Sequence, residues 1–292
     1  MAVVLIYRAL GLGDFLTGVP AYRALRRAFP DHRIVLAAPQ ALAPLAELTG
    51  AIDEVVDTAP LGPAPPGADI AVNLHGRGPQ STALLRASHP NRLIAFGDSW
   101  RADEHEVQRW CRLLREHGIE ADPGDLRLDP PAVPSPAPGA TVVHPGAASE
   151  ARRWPADRWT EVARRLDDVV ITGGPEERAL AERVARGVPG ARVLAGETNL
   201  LTLAATVAHA SLVLCGDTGV AHLATAFGTP SVVLFGPTPP DEWGPPADRP
   251  QHRVLWSGRT GDPHAATPDP GLLEISVDDV LGYVPASQSS SA

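Results

Sequence analysis

The sequence predicts an α/β protein made of two Rossmann-like, doubly wound domains of parallel strands. Three observations predict it. Short apolar runs alternate with segments of helical period along most of the 292 residues. A proline-rich stretch interrupts that alternation near the middle. In both halves, glycine-containing turns follow the apolar runs, as they do where a parallel strand hands over to a helix.

In the first half, residues 3–7 read as a buried strand that leads into the turn Gly11-Leu-Gly-Asp14. A helix then runs from near Phe15 through Tyr22, Leu25 and Phe29, and Pro30 closes it. Residues 34–37 form the next strand, 42–48 a helix and 54–57 a short strand. Residues 70–74 form a buried strand ending in His75-Gly-Arg-Gly78, with a helix over 81–86 behind it. Val107, Trp110, Cys111 and Leu114 fall at helical spacing within 104–117.

Residues 129–139 carry five prolines and no regular element, so they read as a semi-rigid interdomain linker. The expected organisation is a first domain over 1–132, a second over 139–273, a last helix over 274–284 and a disordered polar tail over 285–292. In the second half, 141–144 is a strand, and Pro155 opens a helix with Trp159, Val162, Ala163 and Leu166 on one face. Strands over 169–172 and 192–194 alternate with helices over 176–186 and 201–209. Residues 211–215 and 231–235 are apolar strands flanking a helix that Gly228 and Pro230 stop, and this unit completes the expected sheet. Both halves then present their loops to a central cleft, since ligands of open α/β sheets bind beyond the strands' carboxyl ends.

Hydrophobic residues make up 44% and charged residues 20%, as in an ordinary soluble globular protein. The formal net charge of −9 argues against a general nucleic-acid binder, which shows a basic face. All 25 basic residues are arginine. Cys111 and Cys215 lack metal-like spacing and read as core thiols of a reducing compartment. The N-terminal apolar run is too short for a signal h-region, and no stretch reaches transmembrane length. A cytoplasmic location with at most a peripheral membrane contact is therefore expected.

The chemistry concentrates at the strand ends of the second half. Cys-Gly-Asp217-Thr218-Gly219-Val-Ala-His222-Leu is a strand, a tight polar turn and a helix N-terminus, where free amides and the helix dipole favour an anion. The bland alternative is that Asp217 or Thr218 only caps the helix and His222 is a satisfied, half-buried histidine. His144-Pro-Gly146-Ala147 allows close backbone approach, and Arg152 and Arg153 offer bidentate donors suited to phosphate. Gly173-Gly-Pro-Glu176-Glu177 allows a nucleotide to lie on the backbone while a glutamate accepts ribose hydroxyls. Those two acids also suit a helix N-terminus on dipole grounds alone. Three such loops together favour a nucleotide diphosphate, and no dinucleotide or P-loop fingerprint appears. Asp14 is either the N-cap of the first helix or a general base.

Gly-Leu-Gly-Asp-Phe-Leu…Pro20, Pro145-Gly-Ala…Arg-Arg-Trp-Pro155 and Cys-Gly-Asp-Thr-Gly-Val-Ala-His-Leu…Phe-Gly-Pro-Thr238 together resemble the ADP-heptose:lipopolysaccharide heptosyltransferases, glycosyltransferase family 9. The resemblance spans nearly the whole chain in order. It implies the two-domain GT-B fold, with acceptor on the N-terminal half and nucleotide sugar on the C-terminal half. The last helix often crosses back to the first domain, and residues 275–283 fit that helix. It also implies an inverting, metal-independent transfer with no cofactor beyond the nucleotide-sugar donor, whose sugar by the family's habit is heptose and whose base is adenine. Asp14 matches the catalytic aspartate. Thr218, Gly219 and His222 match residues that hold the donor phosphates, and Asp217 lies near the sugar. Arg152 stands where the family usually has lysine. Glu176 is the best match for the ribose-binding glutamate, and Gly146 and Ala147 complete the donor set. Gly13, His75 and Arg77 fall on the acceptor side, for a glycolipid or a soluble small-molecule or natural-product acceptor. Two alternatives stay open: a sugar-nucleotide epimerase of GT-B-like fold, and a non-catalytic nucleotide-binding protein.

Overall fold

The computed structural model describes residues 1–285 and divides into two compact units, Met1–Leu128 and a second that begins at Asp129. The division falls at the first residue of the proline-rich segment. That segment is not wholly a free spacer: Ala137 is buried against Val170, and the Gly139 amide donates to the His209 carbonyl at 2.8 Å. The polar tail expected to be disordered lies, from residue 286 on, outside the described residues.

The first unit is a five-stranded parallel sheet: β1 (Val3–Tyr7), β2 (Arg33–Ala38), β3 (Glu54–Asp57), β4 (Ile70–Asn73) and β5 (Arg92–Ile94). Its strand order is β3-β2-β1-β4-β5. The all-apolar run of β1 occupies the central position, where both faces are covered and a continuous Val/Leu/Ile strand belongs. The helices are α1 (Leu12–Thr17), α2 (Val19–Ala28), α3 (Ala43–Leu48), α4 (Gln80–Ala87) and α5 (Glu106–Glu116). The first helix starts earlier than the pattern predicted and breaks at Gly18. A Cβ on Gly18 would lie 2.3 Å from the Tyr22 hydroxyl, so only glycine lets that buried ring pack there.

The second unit holds six parallel strands: β6 (Thr141–His144), β7 (Val169–Ile171), β8 (Arg192–Val193), β9 (Leu212–Gly216), β10 (Ser231–Leu234) and β11 (His252–Leu255). They are ordered β11-β10-β9-β6-β7-β8. Between them run α6 (Ala156–Ala163), α7 (Arg178–Ala185), α8 (Leu200–Ala208), α9 (Gly219–Phe227) and the short α10 (Pro240–Trp243). The strand β11 extends the sheet beyond β10, where the sequence pattern had ended it. Trp154 and Trp159 meet edge-on at 5.0 Å inside the core.

Two short helices, α11 (Pro270–Glu274) and α12 (Val277–Leu281), close the described chain. The final helix, expected over 275–283 and toward the first domain, is shorter and packs on α6 of its own unit. Val280 is fully buried in that core. The Trp154 Nε1 donates to the Ile275 carbonyl at 3.1 Å, and Arg158 donates to the carbonyls of Leu273 and Ile275 at 2.7 and 2.8 Å. These bonds tie the segment before α12 to the second unit. Among the described residues no helix is long and apolar enough to cross a membrane.

Candidate active site

Each sheet has one point where its strand order reverses, between β1 and β4 in the first unit and between β6 and β9 in the second. Loops leaving the carboxyl ends of strands at such a point diverge and leave room for a ligand. The predicted site residues lie on the loops and first helical turns after these four strands, except Glu176, which follows β7.

In the second unit, the loop after β9 brings Asp217 and Thr218 to the start of α9. Thr218 is the extended N-cap residue, with φ −147° and ψ 171°, yet no side chain caps the helix. Thr218 therefore stands at the N-cap position without its side chain capping the helix. The Thr218 hydroxyl is buried without a hydrogen-bond partner. Below it, burial pushes the Cys215 thiol up; the Thr218 hydroxyl alone opposes that rise, without forming a bond of ordinary geometry. Asp217, 6% exposed, lies 3.7 Å from the Arg152 guanidinium, which also donates to the Asp217 carbonyl at 3.4 Å. His222 sits one turn into α9, its ring edge-on to Trp243 at 6.1 Å. The Ala221 amide bonds back to the Thr218 carbonyl at 3.1 Å, which leaves the Gly219 and Val220 amides at the helix start, where the dipole places positive charge.

The loop after β6 separates the two neighbouring arginines. Arg152 closes a short 3₁₀ turn (Glu150–Arg152) and turns to Asp217, whereas Arg153 donates to the Ala147 carbonyl at 3.0 Å and pairs with Glu150. Arg153 therefore shapes the Gly146-Ala147 backbone instead of facing the anion site. A further segment braces this loop: Ser149 donates to the Pro263 carbonyl at 2.6 Å, and the Ala151 amide to the Ala265 carbonyl at 3.2 Å.

After β7 the two glutamates also part. Glu177 accepts from the Gly174 amide at 2.8 Å, closing the 3₁₀ turn Pro175–Glu177. Its carboxylate lies so close over Gly146 that a Cβ there would sit 2.0 Å from Glu177 Oε1. Glu177 thus performs the structural task that the dipole argument assigned to the pair. Glu176 is exposed beside Gly174 and makes no hydrogen bond or ion pair among the described residues. Beneath them His144 is buried, bonded through Nδ1 to the Thr172 hydroxyl at 3.0 Å, and burial holds its pKa down.

In the first unit Asp14 lies in the first turn of α1, with Gly11 as the N-cap residue. Asp14 is not the N-cap residue that one alternative made it: it lies inside the first turn, with the amides of Gly11 and of Asp14 itself acting on its carboxylate. The Asp14 side chain remains 29% exposed. Burial pushes its carboxyl above the usual range; Arg8 opposes that rise and Glu106 adds to it. Arg8 is fully buried beside it. It donates to the carbonyls of Asp14 and Leu74 and to the Thr17 hydroxyl, and it pairs with Glu106 at 3.0 Å. The sequence reading missed Arg8 and Glu106. An arginine placed directly after an all-apolar central strand was the available signal for Arg8, because a cation there must be paired.

The loop after β4 carries the acceptor-side candidates. His75 packs on Tyr7 at 5.2 Å, its Nδ1 is buried without a partner, and burial followed by Arg8 lowers its pKa. Asn73, also missed from sequence, fixes this loop: its amide donates to the hydroxyls of Ser81 and Thr82, and its oxygen accepts from the His75 amide at 3.1 Å. Arg77 is exposed and unpaired among the described residues. Gly13 lies in α1, one residue before Asp14. Among the described residues no group of three or more His, Cys, Asp or Glu side chains is arranged to hold a metal ion.

The sequence model of glycosyltransferase family 9 (heptosyltransferase) matches residues 91–267. No curated protein matches the chain significantly. Among solved structures, the ADP-heptose lipopolysaccharide heptosyltransferase II of E. coli is similar with a TM-score of 0.75 and 21% identity, over 97% of each chain. E. coli heptosyltransferase WaaC with ADP is similar with a TM-score of 0.72 and 20% identity, over 96% of this chain and 98% of that one. The iron-containing dodecameric glycosyltransferase TibC of enterotoxigenic E. coli follows with a TM-score of 0.63 and 17% identity, over 97% of this chain and 74% of that one. The two parallel-sheet units are thus those of a GT-B fold.

Proposed function

Because this chain belongs to glycosyltransferase family 9 and is therefore an enzyme that transfers sugar from a nucleotide donor to an acceptor, we propose an inverting, metal-independent mechanism with Asp14 as general base. The observation that carries the reading is the cluster at the start of α9. There a cation, free helix amides and the unpartnered Thr218 hydroxyl converge as a diphosphate would require.

In this mechanism the donor phosphates lie against Thr218, Gly219 and His222, with Arg152 in the place of a lysine and Asp217 near the sugar. Gly146 and Ala147 let the nucleotide approach the backbone, and Glu176 accepts the ribose hydroxyls. The acceptor hydroxyl attacks the anomeric carbon from the face opposite the diphosphate. The new C–O bond forms as the bond to the phosphate oxygen breaks, so the configuration inverts. The hydroxyl proton passes to Asp14, whose raised pKa favours proton uptake. Negative charge growing on the leaving diphosphate is met by Arg152, His222 and the α9 amides. A carboxylate, an arginine and helix amides thus supply the acid–base and charge roles.

The heptosyltransferase neighbours support ADP-heptose as the donor. Gly13, His75 and Arg77 are assigned to the acceptor, a glycolipid or a soluble hydroxylated small molecule. Isothermal titration with ADP, UDP, GDP and ADP-heptose, with and without magnesium, tests the donor reading. Selective binding of ADP and ADP-heptose that magnesium and chelators leave unchanged is the expected result. Preference for UDP or GDP overturns the adenine assignment, and binding that needs a metal overturns metal independence.

A further inference from the structure

Beneath Asp14 lies a buried charge cluster whose members come from distant parts of the sequence. Arg8 extends from the end of β1, and Glu106 opens α5. Their ion pair is 3.0 Å long, whereas the same Arg8 nitrogen stands 3.7 Å from Asp14 Oδ1. One cation is thus shared unequally between two carboxylates, and the deeper carboxylate holds it.

Glu106 is anchored on three sides. Arg109 pairs with its Oε2, the Trp110 indole donates to its Oε1 at 2.8 Å, and Arg8 takes the remaining contact. Arg109 in turn donates to the carbonyls of Arg101, Ala102 and Glu104 at 3.2, 3.0 and 2.7 Å. Arg8 has equally little freedom. Its other donors go to the Asp14 and Leu74 carbonyls and the Thr17 hydroxyl, and its guanidinium lies 5.0 Å from the Trp110 ring centroid.

We propose that Glu106 is a positioning residue for Asp14: by holding Arg8 in its own ion pair, it keeps Arg8 from neutralising the Asp14 carboxylate and so preserves that carboxylate as a proton acceptor. The proposal rests on the reading of Asp14 as the general base. It accounts for buried charged groups, Glu106 and Arg109, for which sugar transfer by itself has no use.

The charges facing Asp14 can be named from each packed element. Arg8 from β1 lowers its pKa, Glu106 from α5 raises it, and the amides of Gly11 and Asp14 itself lower it modestly. The Tyr22 hydroxyl from α2 is buried without a partner, and burial keeps it protonated. His75, after β4, feels Arg8 and is held toward its neutral form. Burial opposes ionisation of Glu106, but Arg8 and Arg109 outweigh it and keep that carboxyl below the usual range. Glu106→Gln leaves Arg8 with Asp14, 3.7 Å away, as its remaining ion-pair partner. Loss of the Glu106 charge and closer approach of Arg8 act in one direction, lowering the Asp14 pKa.

The experiment is the pH profile of kcat/KM for wild type, Glu106→Gln and Glu106→Asp, together with ¹³C-carboxyl NMR titration of Asp14, assigned by its absence in Asp14→Asn. Glu106→Gln should move the acid limb and the Asp14 titration together to lower pH, by on the order of one unit. The plateau rate should fall about three- to ten-fold, because a weaker base accepts the proton less readily. ADP affinity should be unchanged. Glu106→Asp keeps the charge but draws it back from Arg8, so it should shift both midpoints in the same direction by less.

A folded Glu106→Gln protein with both midpoints unmoved overturns the proposal. Should neither variant fold, wild type decides it: an Asp14 midpoint at or below that of free aspartate contradicts the unequal sharing. Retained turnover in Asp14→Asn removes the general-base reading instead. The NMR midpoints then still show whether Glu106 controls Asp14, so the two failures are distinguishable.

Discussion

The Arg152 guanidinium lies 3.7 Å from the buried Asp217 carboxylate and donates to the Asp217 carbonyl, joining the loop after β6 to the turn before α9. One arginine thereby spans the switch point of the second sheet. Gly216 completes the junction, since a Cβ there would press within 3.1 Å of the Arg152 carbonyl oxygen. Arg152→Ala should weaken ADP binding about 10- to 100-fold, the loss of a charge-assisted phosphate contact. It should also destabilise the protein by about 1–3 kcal/mol, because the buried Asp217 loses the Arg152 contacts to its carboxylate and carbonyl. Arg152→Lys should recover part of the affinity but not the two-atom contact. Titration calorimetry and urea unfolding check both effects, and an unchanged ADP affinity contradicts the assignment.

Gly146 and Glu177 make a second testable contact. A methyl at 146 cannot coexist with the present Glu177 carboxylate, 2.0 Å from where the Cβ would stand. Glu177 must swing away and release the Gly174 amide. Gly146→Ala should therefore cost about 1 kcal/mol, the value of a lost cap. Amide exchange at Gly174 should quicken and ADP affinity should fall. Glu177→Gln, which keeps an acceptor oxygen in place, should do much less.

Much of this architecture was legible in the sequence. The strands at 3–7 and 141–144 announced themselves as short β-branched apolar runs ahead of turn residues, and the structure places them there, as it does the Val-Val pair of the strand at 54–57. The edge strands β5 and β11 escaped, because three or four residues with half-exposed sides give no readable period. The glycine-containing turns lie at the strand ends where the sequence pattern placed them, after β1, β6, β7 and β9. Sequence could not divide labour between adjacent twins. Arg152 and Arg153, or Glu176 and Glu177, differ only in the direction a short 3₁₀ turn aims them. Least legible was the cluster under Asp14. Glu106 and Arg109 sit in a helix rich in charge, which reads as a solvated face, and their partner Arg8 lies almost a hundred residues earlier in the chain.

The second unit should also show an acid-sensitive stability. His252 is buried at the start of β11, bonded through Nδ1 to the Ser231 hydroxyl at 2.9 Å, while its Nε2 is buried without a partner. Burial, then Arg249, pushes its pKa down from the usual 6.5 to about 4. The unfolded chain therefore takes up a proton that the folded protein refuses. Stability from this group is full above pH 6.5 and is lost as the pH falls from there through about 4. Urea midpoints at pH 7 and pH 5 should differ more in wild type than in His252→Asn. Equal pH dependence in the two proteins contradicts the prediction.

The central claim is that Asp14 takes the acceptor proton while the second unit holds the donor. The measurement that tests it most directly is ADP release from ADP-heptose, with glycolipid-core and soluble hydroxylated acceptors, by wild type and Asp14→Asn. ADP affinity is measured on the same two preparations. The account predicts that Asp14→Asn reduces turnover by about 10²- to 10⁴-fold, the usual contribution of a general base, with ADP affinity within two-fold of wild type. Turnover within a few-fold of wild type in a properly folded Asp14→Asn protein would contradict it.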